Sequence, residues 1–164
     1  MEKGMLTLFC GKMGAGKSTK AAKVAEESNA VLLAEDEWLE SLYPNQIESL
    51  DDYVKYSNLL KLQIKKLVQS ILVTGTHVVM DFPANTRDQR LWLKSIFMEV
   101  DAPHRLIFID VADDVCLKQI EKRREEYPDR ARTDTPEMFK AVTRYFNEPT
   151  DDEGFNMISV SSNE

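Results

Sequence analysis

Cysteine, histidine, surplus positive charge and long apolar runs are all scarce in this chain, and each scarcity argues against a class of function. Only two cysteines, Cys10 and Cys116, occur in 164 residues. They stand far apart in apolar surroundings, with no paired spacing of the kind a zinc site needs, so each reads as a buried reduced thiol. The two histidines, His77 and His104, sit beside expected strand starts and read as structural. The 21 Lys and Arg against 28 Asp and Glu leave a net charge of −7, which argues against a surface built to grip a long stretch of nucleic acid phosphate. No segment approaches bilayer-spanning length, and Met1 to Phe9 lack the apolar run and small-residue cleavage site of a signal peptide. The expectation is a cytoplasmic protein without a membrane partner. No repeat, low-complexity tract or linker interrupts the chain, so residues 1–164 are expected to form one domain around one core.

What the chain does have is a regular alternation of short apolar runs with amphipathic stretches, the pattern of a parallel sheet covered by helices. The runs predict strands at Met5 to Cys10, Val31 to Ala34, His77 to Asp81, Arg105 to Asp110 and Met157 to Val160. Between them, helices are expected over Lys17 to Glu27, Asp51 to Thr74, Thr86 to Glu99 and Asp113 to Tyr127, with another after Pro136. Asp51 or Asp52 is available to cap the long second helix, and Gly75 ends it. Trp38 and Trp92 read as packing residues.

Directly after the first strand comes Gly11-Lys12-Met13-Gly14-Ala15-Gly16-Lys17-Ser18, a complete G-x-x-x-x-G-K-S motif running into a helix. The glycines let the backbone bend around an anion with its N–H groups turned inward, above the positive end of the helix. Lys17 is expected to reach the β- and γ-phosphates of ATP, Ser18 to help hold Mg2+, and Thr19 to add a polar contact near the α-phosphate.

In an open parallel sheet the ligands lie outside the carboxyl ends of the strands. After the second strand comes Glu35-Asp36-Glu37, where Asp36 is placed to take a proton from an attacking hydroxyl or to cap a helix containing Trp38 and Leu39. The third strand closes on Asp81, as a carboxylate ordering a magnesium water shell would. Arg87 and Arg90, in the turn and helix start that follow, are candidates to orient an anionic acceptor. Further on, Lys122-Arg123-Arg124, Arg130 and Arg132 form a charged run. Phosphoryl transfer needs positive charge and exclusion of water, so Arg123, Arg124 and Arg132 are the first candidates for an arginine-bearing lid.

Taken together, LFCGKMGAGKST, LLAEDEWL, VVMDFPANTRDQRLWL, CLKQIEKRR and EPTDDEGFN make the chain resemble the small P-loop kinases grouped with zeta toxins, chloramphenicol phosphotransferases and the kinase domain of polynucleotide kinases. It is most similar to bacterial proteins described as ATP-binding or predicted kinases. The resemblance implies an α/β, three-layer fold with a five-stranded parallel sheet in the order 2-3-1-4-5, a catalytic aspartate at Asp36, lid arginines between 123 and 132, and an EPTDDEGFN loop near the adenine. The chain lacks the segments by which zeta toxins hold their sugar nucleotide and the basic surplus of an enzyme handling nucleic acid ends. The expected activity is transfer of the γ-phosphate of ATP to a hydroxyl of a small molecule. An NTP hydrolase, with Asp36 or Glu37 positioning water, and a nucleotide-gated regulatory module are the alternatives.

Overall fold

The computed structural model describes residues 2–128 and 134–161. Five parallel strands, β1 (Leu6–Cys10), β2 (Val31–Ala34), β3 (Val78–Asp81), β4 (His104–Asp110) and β5 (Met157–Ser161), form one sheet in the order β2-β3-β1-β4-β5. This is the implied order. β1 lies in the middle, and every residue of β1 and β3 is buried. The edge strands carry the exposure, with Val31 and Leu32 on β2 and Met157 and Ile158 on β5 all partly open to solvent.

Strand side chains alternate between the two faces, and this alternation splits the core in two. Leu6, Leu8 and Cys10 of β1 join Val78, Met80, Leu106 and Phe108 against one set of helices. Phe9, Val79, Ile107 and Ile109 face the other way. The first face is covered by α3 (Leu50–Leu72) and α4 (Arg87–Glu99) through Leu60, Ile64, Val68, Leu93 and Ile96. The second is covered by α1 (Lys17–Glu27), α5 (Asp113–Glu126) and α6 (Pro136–Thr143) through Ala21, Ala25, Cys116, Ile120 and Phe139. The result is the expected three layers. A short α2 (Glu35–Leu42) follows β2 without an intervening loop, and a 3-10 turn at Asp151–Glu153 precedes β5.

Two details of the helices differ from the sequence expectation. α3 starts at Leu50 and is capped by Ser49, whose Oγ accepts the Asp52 N–H at 3.1 Å, while Asp52 Oδ2 accepts the Glu48 N–H at 3.1 Å. Asp52 therefore works from inside the first turn, where its carboxylate holds the residue before the cap, and Ser49 is the N-cap. α4 begins one residue after Thr86, which is its N-cap in a capping box with Gln89.

His77 Nδ1 accepts the Met5 N–H at 2.9 Å, and His104, stacked on Phe97 at 3.9 Å, accepts the Asn156 N–H through Nε2 at 3.0 Å. Both histidines are structural. Cys10 and Cys116 are free and buried. Burial pushes the Cys10 thiol up to about 12 against the opposing pull of Arg90 and Lys17, so it is an inert packing group. Among the described residues no helix is long and apolar enough to cross a membrane.

Candidate active site

The carboxyl ends of β1, β2 and β3 come together because the three strands are adjacent and in register. Leu8 pairs with Met80, and Ala34 pairs with Asp81. The loop after β1, the start of α2 after β2, and Asp81 at the end of β3 therefore occupy one rim of the sheet.

The loop bends where its glycines require it. Gly14 and Gly16 have φ of 83° and 93°, the left-handed region that residues with a Cβ avoid. Gly16 caps α1 without any side-chain hydrogen bond, which leaves the first-turn N–H groups of that helix to an anion. Gly14 has a second constraint, since a Cβ built on it would lie 2.5 Å from the Cys116 carbonyl oxygen of α5. Gly14→Ala is expected to lower stability by about 1–3 kcal/mol through this clash and the positive φ, read as a reduced midpoint in thermal denaturation. An unchanged midpoint would mean that α5 yields at no cost. Lys12, inside the loop, points away toward α5, where its Nζ lies 2.7 Å from Asp113 Oδ1. Ser18 and Thr19 open to solvent in the first turn of α1, while Met13 and Ala15 are partly buried against the second core face.

Lys17 Nζ lies 2.8 Å from Asp81 Oδ1, with the carboxylate side chain only 8% exposed. That oxygen makes no aligned hydrogen bond, so the contact is an ion pair alone. It joins the lysine before Ser18 to the carboxylate at the end of β3.

Asp36 sits in the exposed first turn of α2, beside a very different carboxylate. Glu35 is 3% exposed, accepting hydrogen bonds from Tyr53 Oη at 2.5 Å and Ser57 Oγ at 2.8 Å, both on α3. These bonds anchor the start of α2 to α3 and hold Asp36 at the rim. Burial raises the Glu35 carboxyl above its usual range and Asp36 adds to this, while the two hydroxyls and Lys17 pull the other way. A carboxyl raised in the folded state contributes stability that is full below the unfolded value near 4.5 and is lost as pH rises toward the folded value. Glu35→Gln is therefore expected to gain thermal midpoint relative to the parent as pH rises from about 4 to 8. A difference between the two proteins that stays constant over that range would contradict the assignment.

The arginines after β3 are both engaged within the protein, one buried and one exposed. Arg90 is fully buried, donating through Nε to Glu153 Oε1 at 2.7 Å and through Nη1 to the Ala84 carbonyl at 2.9 Å. Against the expectation of a cation open to an acceptor, the structure has Arg90 buried and ion-paired with Glu153. Arg87 is exposed but engaged, with Nη2 donating to Thr150 Oγ1 at 3.0 Å and Nη1 lying 3.6 Å from Asp152. Arg87, Arg90 and Lys94, whose Nζ donates to the Glu153 carbonyl at 2.6 Å, hold the EPTDDEG loop onto α4.

At the end of α5, Arg123 Nη2 donates to Asp134 Oδ1 at 3.0 Å, and Arg124 is partly buried. Arg130 and Arg132 lie outside the described residues. Sequence reasoning missed Asn85, whose Oδ1 accepts the Gly11 N–H at 3.0 Å, and Glu35 as an anchor. The only signal for either was its place just after a strand end.

The same architecture occurs in known proteins. An adenylate kinase of Rickettsia africae (strain ESF-5) is 22% identical over 156 residues, covering 90% of this chain and 68% of its own length. A putative kinase from Chloroflexus aurantiacus j-10-fl superposes with a TM-score of 0.71 at 17% identity, over 99% of this chain and 87% of that one. The Mycobacterium tuberculosis APS kinase, in complex with AMPPNP and APS, does so with a TM-score of 0.61 at 16% identity, over 98% and 90%. The fold is thus the one P-loop kinases use. The model of the AAA domain family matches residues 6–149, a span that takes in the phosphate loop, Asp36, Asp81 and the arginine run, and the chain belongs to that family.

Proposed function

We propose that the chain is a phosphotransferase that moves the γ-phosphate of ATP to a hydroxyl of a small molecule. The observation that carries this reading is the Lys17–Asp81 contact of 2.8 Å at the mouth of the phosphate loop, with Asp36 on the adjoining strand end. Residues 11–19 cradle the triphosphate through backbone N–H groups, and Lys17 turns from Asp81 to the β- and γ-phosphates. The fit to Mg2+ rests on Asp81, a mostly buried carboxylate oxygen with no aligned hydrogen bond, and on the hydroxyl of Ser18, the residue after Lys17 in the first turn of α1. One carboxylate and one hydroxyl, completed by phosphate oxygens and water, is the donor set that ion favours. When bound, it neutralises charge on the β- and γ-phosphates.

Asp36 takes the proton of the acceptor hydroxyl as its oxygen bonds to the γ-phosphorus, and the bond from that phosphorus to the bridging oxygen breaks to release ADP. Arg123, Arg124 and Arg132 supply positive charge to the transferring group, Arg123 by leaving Asp134. The engagement of Arg87 and Arg90 within the protein favours an acceptor that brings no phosphate of its own for them to hold. The likeness in fold to an APS kinase solved with a nucleotide analogue and a small-molecule substrate supports the same class of reaction.

The test is ADP release from MgATP across nucleosides, nucleoside monophosphates, sugars, aminoglycosides, phenicols and short oligonucleotides, with Asp36→Asn as control. Acceptor-dependent release that disappears in the variant supports the kinase. Slow release indifferent to every acceptor moves the reading to a hydrolase or a nucleotide-gated module, and a monophosphate preferred over its nucleoside contradicts the charge argument.

A further inference from the structure

Asn85 joins three separate stretches of chain, and the chemistry above makes no use of it. Its Oδ1 accepts the backbone N–H of Gly11, 74 residues away, at 3.0 Å. Its own N–H donates to Gln89 Oε1 at 2.8 Å, which fixes it to the first turn of α4. Its carbonyl accepts the Asn147 N–H at 2.8 Å. Just before it, the Ala84 carbonyl is held by the buried Arg90, which is held in turn by Glu153. The segment from 147 to 153, the start of α4 and the turn after β3 are thus bonded into one assembly. Asn85 Oδ1 is the atom through which that assembly grips the phosphate loop, and Lys12 Nζ, 5.2 Å from the centre of the Phe146 ring, adds a second contact.

We propose that Asn85 is a positioning residue for the nucleotide. By holding the Gly11 N–H it pins the first residue of the phosphate loop, so the N–H groups that follow are aimed before any phosphate arrives. Preorganisation of this kind raises affinity because less ordering remains to be done on binding. The side chain suits the place, since an amide oxygen accepts as a carboxylate does without setting a negative charge beneath a triphosphate. The proposal rests on the reading of residues 11–19 as the nucleotide site.

Two measurements on the full chain test it: MgATP affinity by calorimetry and hydrogen exchange at the Gly11 amide. Asn85→Ala is expected to weaken MgATP binding about tenfold and to speed Gly11 exchange, with some loss of thermal midpoint because the N–H of the buried Gly11 loses its acceptor. Asn85→Asp keeps an accepting oxygen in place and is expected to preserve Gly11 protection, which keeps the test decisive even if the alanine variant folds poorly. Faster Gly11 exchange in the aspartate variant overturns the assignment. A parent that binds MgATP alongside an alanine variant that binds equally well overturns the positioning role alone. A parent that binds no MgATP overturns the nucleotide site and this role with it.

Discussion

Asp36→Asn is expected to lower phosphate transfer by about 10²–10⁴-fold while MgATP affinity stays within a few-fold of the parent. The separation of the two effects follows from where Asp36 sits. It is exposed in the first turn of α2, whereas the phosphate loop lies between β1 and α1. On the proposed mechanism asparagine keeps the shape and loses the base, so the change removes an interaction made with the acceptor proton in the transition state. α2 should stay in place, because its anchor is the neighbouring Glu35 on Tyr53 and Ser57. Single-turnover kinetics and calorimetry on the same preparation read both quantities. Loss of nucleotide binding in this variant would show that the base has been misassigned, and retained transfer would remove Asp36 from the chemistry.

Lys17→Ala is expected to impair nucleotide binding and turnover together, and also to destabilise the protein with no ligand present. The second effect comes from the tertiary contact, since Asp81 loses the charge 2.8 Å from its mostly buried Oδ1. Removing one partner of a buried ion pair leaves the other uncompensated, a cost of about 3 kcal/mol, or about 6–12 °C of thermal midpoint in a domain of this size. Adding Asp81→Asn to Lys17→Ala should recover part of that midpoint while leaving binding impaired, because the uncompensated charge is then gone. A double variant no more stable than Lys17→Ala would mean that the pair contributes little to the fold. Unchanged activity in Lys17→Ala would contradict the phosphate-loop reading itself.

The parts of this site legible in the sequence are those whose physics is local. The G-x-x-x-x-G-K-S run is contiguous, and its glycines answer to their own φ angles, as Gly14 and Gly16 do. Strand ends at Asp81 and before Glu35 show as apolar runs closing on carboxylates, and the helices show as periodic stripes. Even within local structure the choice of cap was lost, because Ser49 and Asp52 are both good capping residues and only the helix start at Leu50 separates their roles.

Distance along the chain hid the rest. Arg87 and Arg90 look in the sequence like free cations beside a strand end, and their partners Thr150, Asp152 and Glu153 arrive about 60 residues later. Glu35 and Asp36 are neighbours with nearly the same chemistry, yet one is buried under α3 and the other faces solvent. The amino-acid sequence by itself determined the phosphate loop, the alternation of strand and helix, and the row of carboxylates at the strand ends. The tertiary structure alone decided which charges are available for chemistry. The reason is physical: a backbone bend or an amphipathic stripe is set by residues within a turn or two, whereas the freedom of a charged side chain depends on whatever the rest of the chain packs against it.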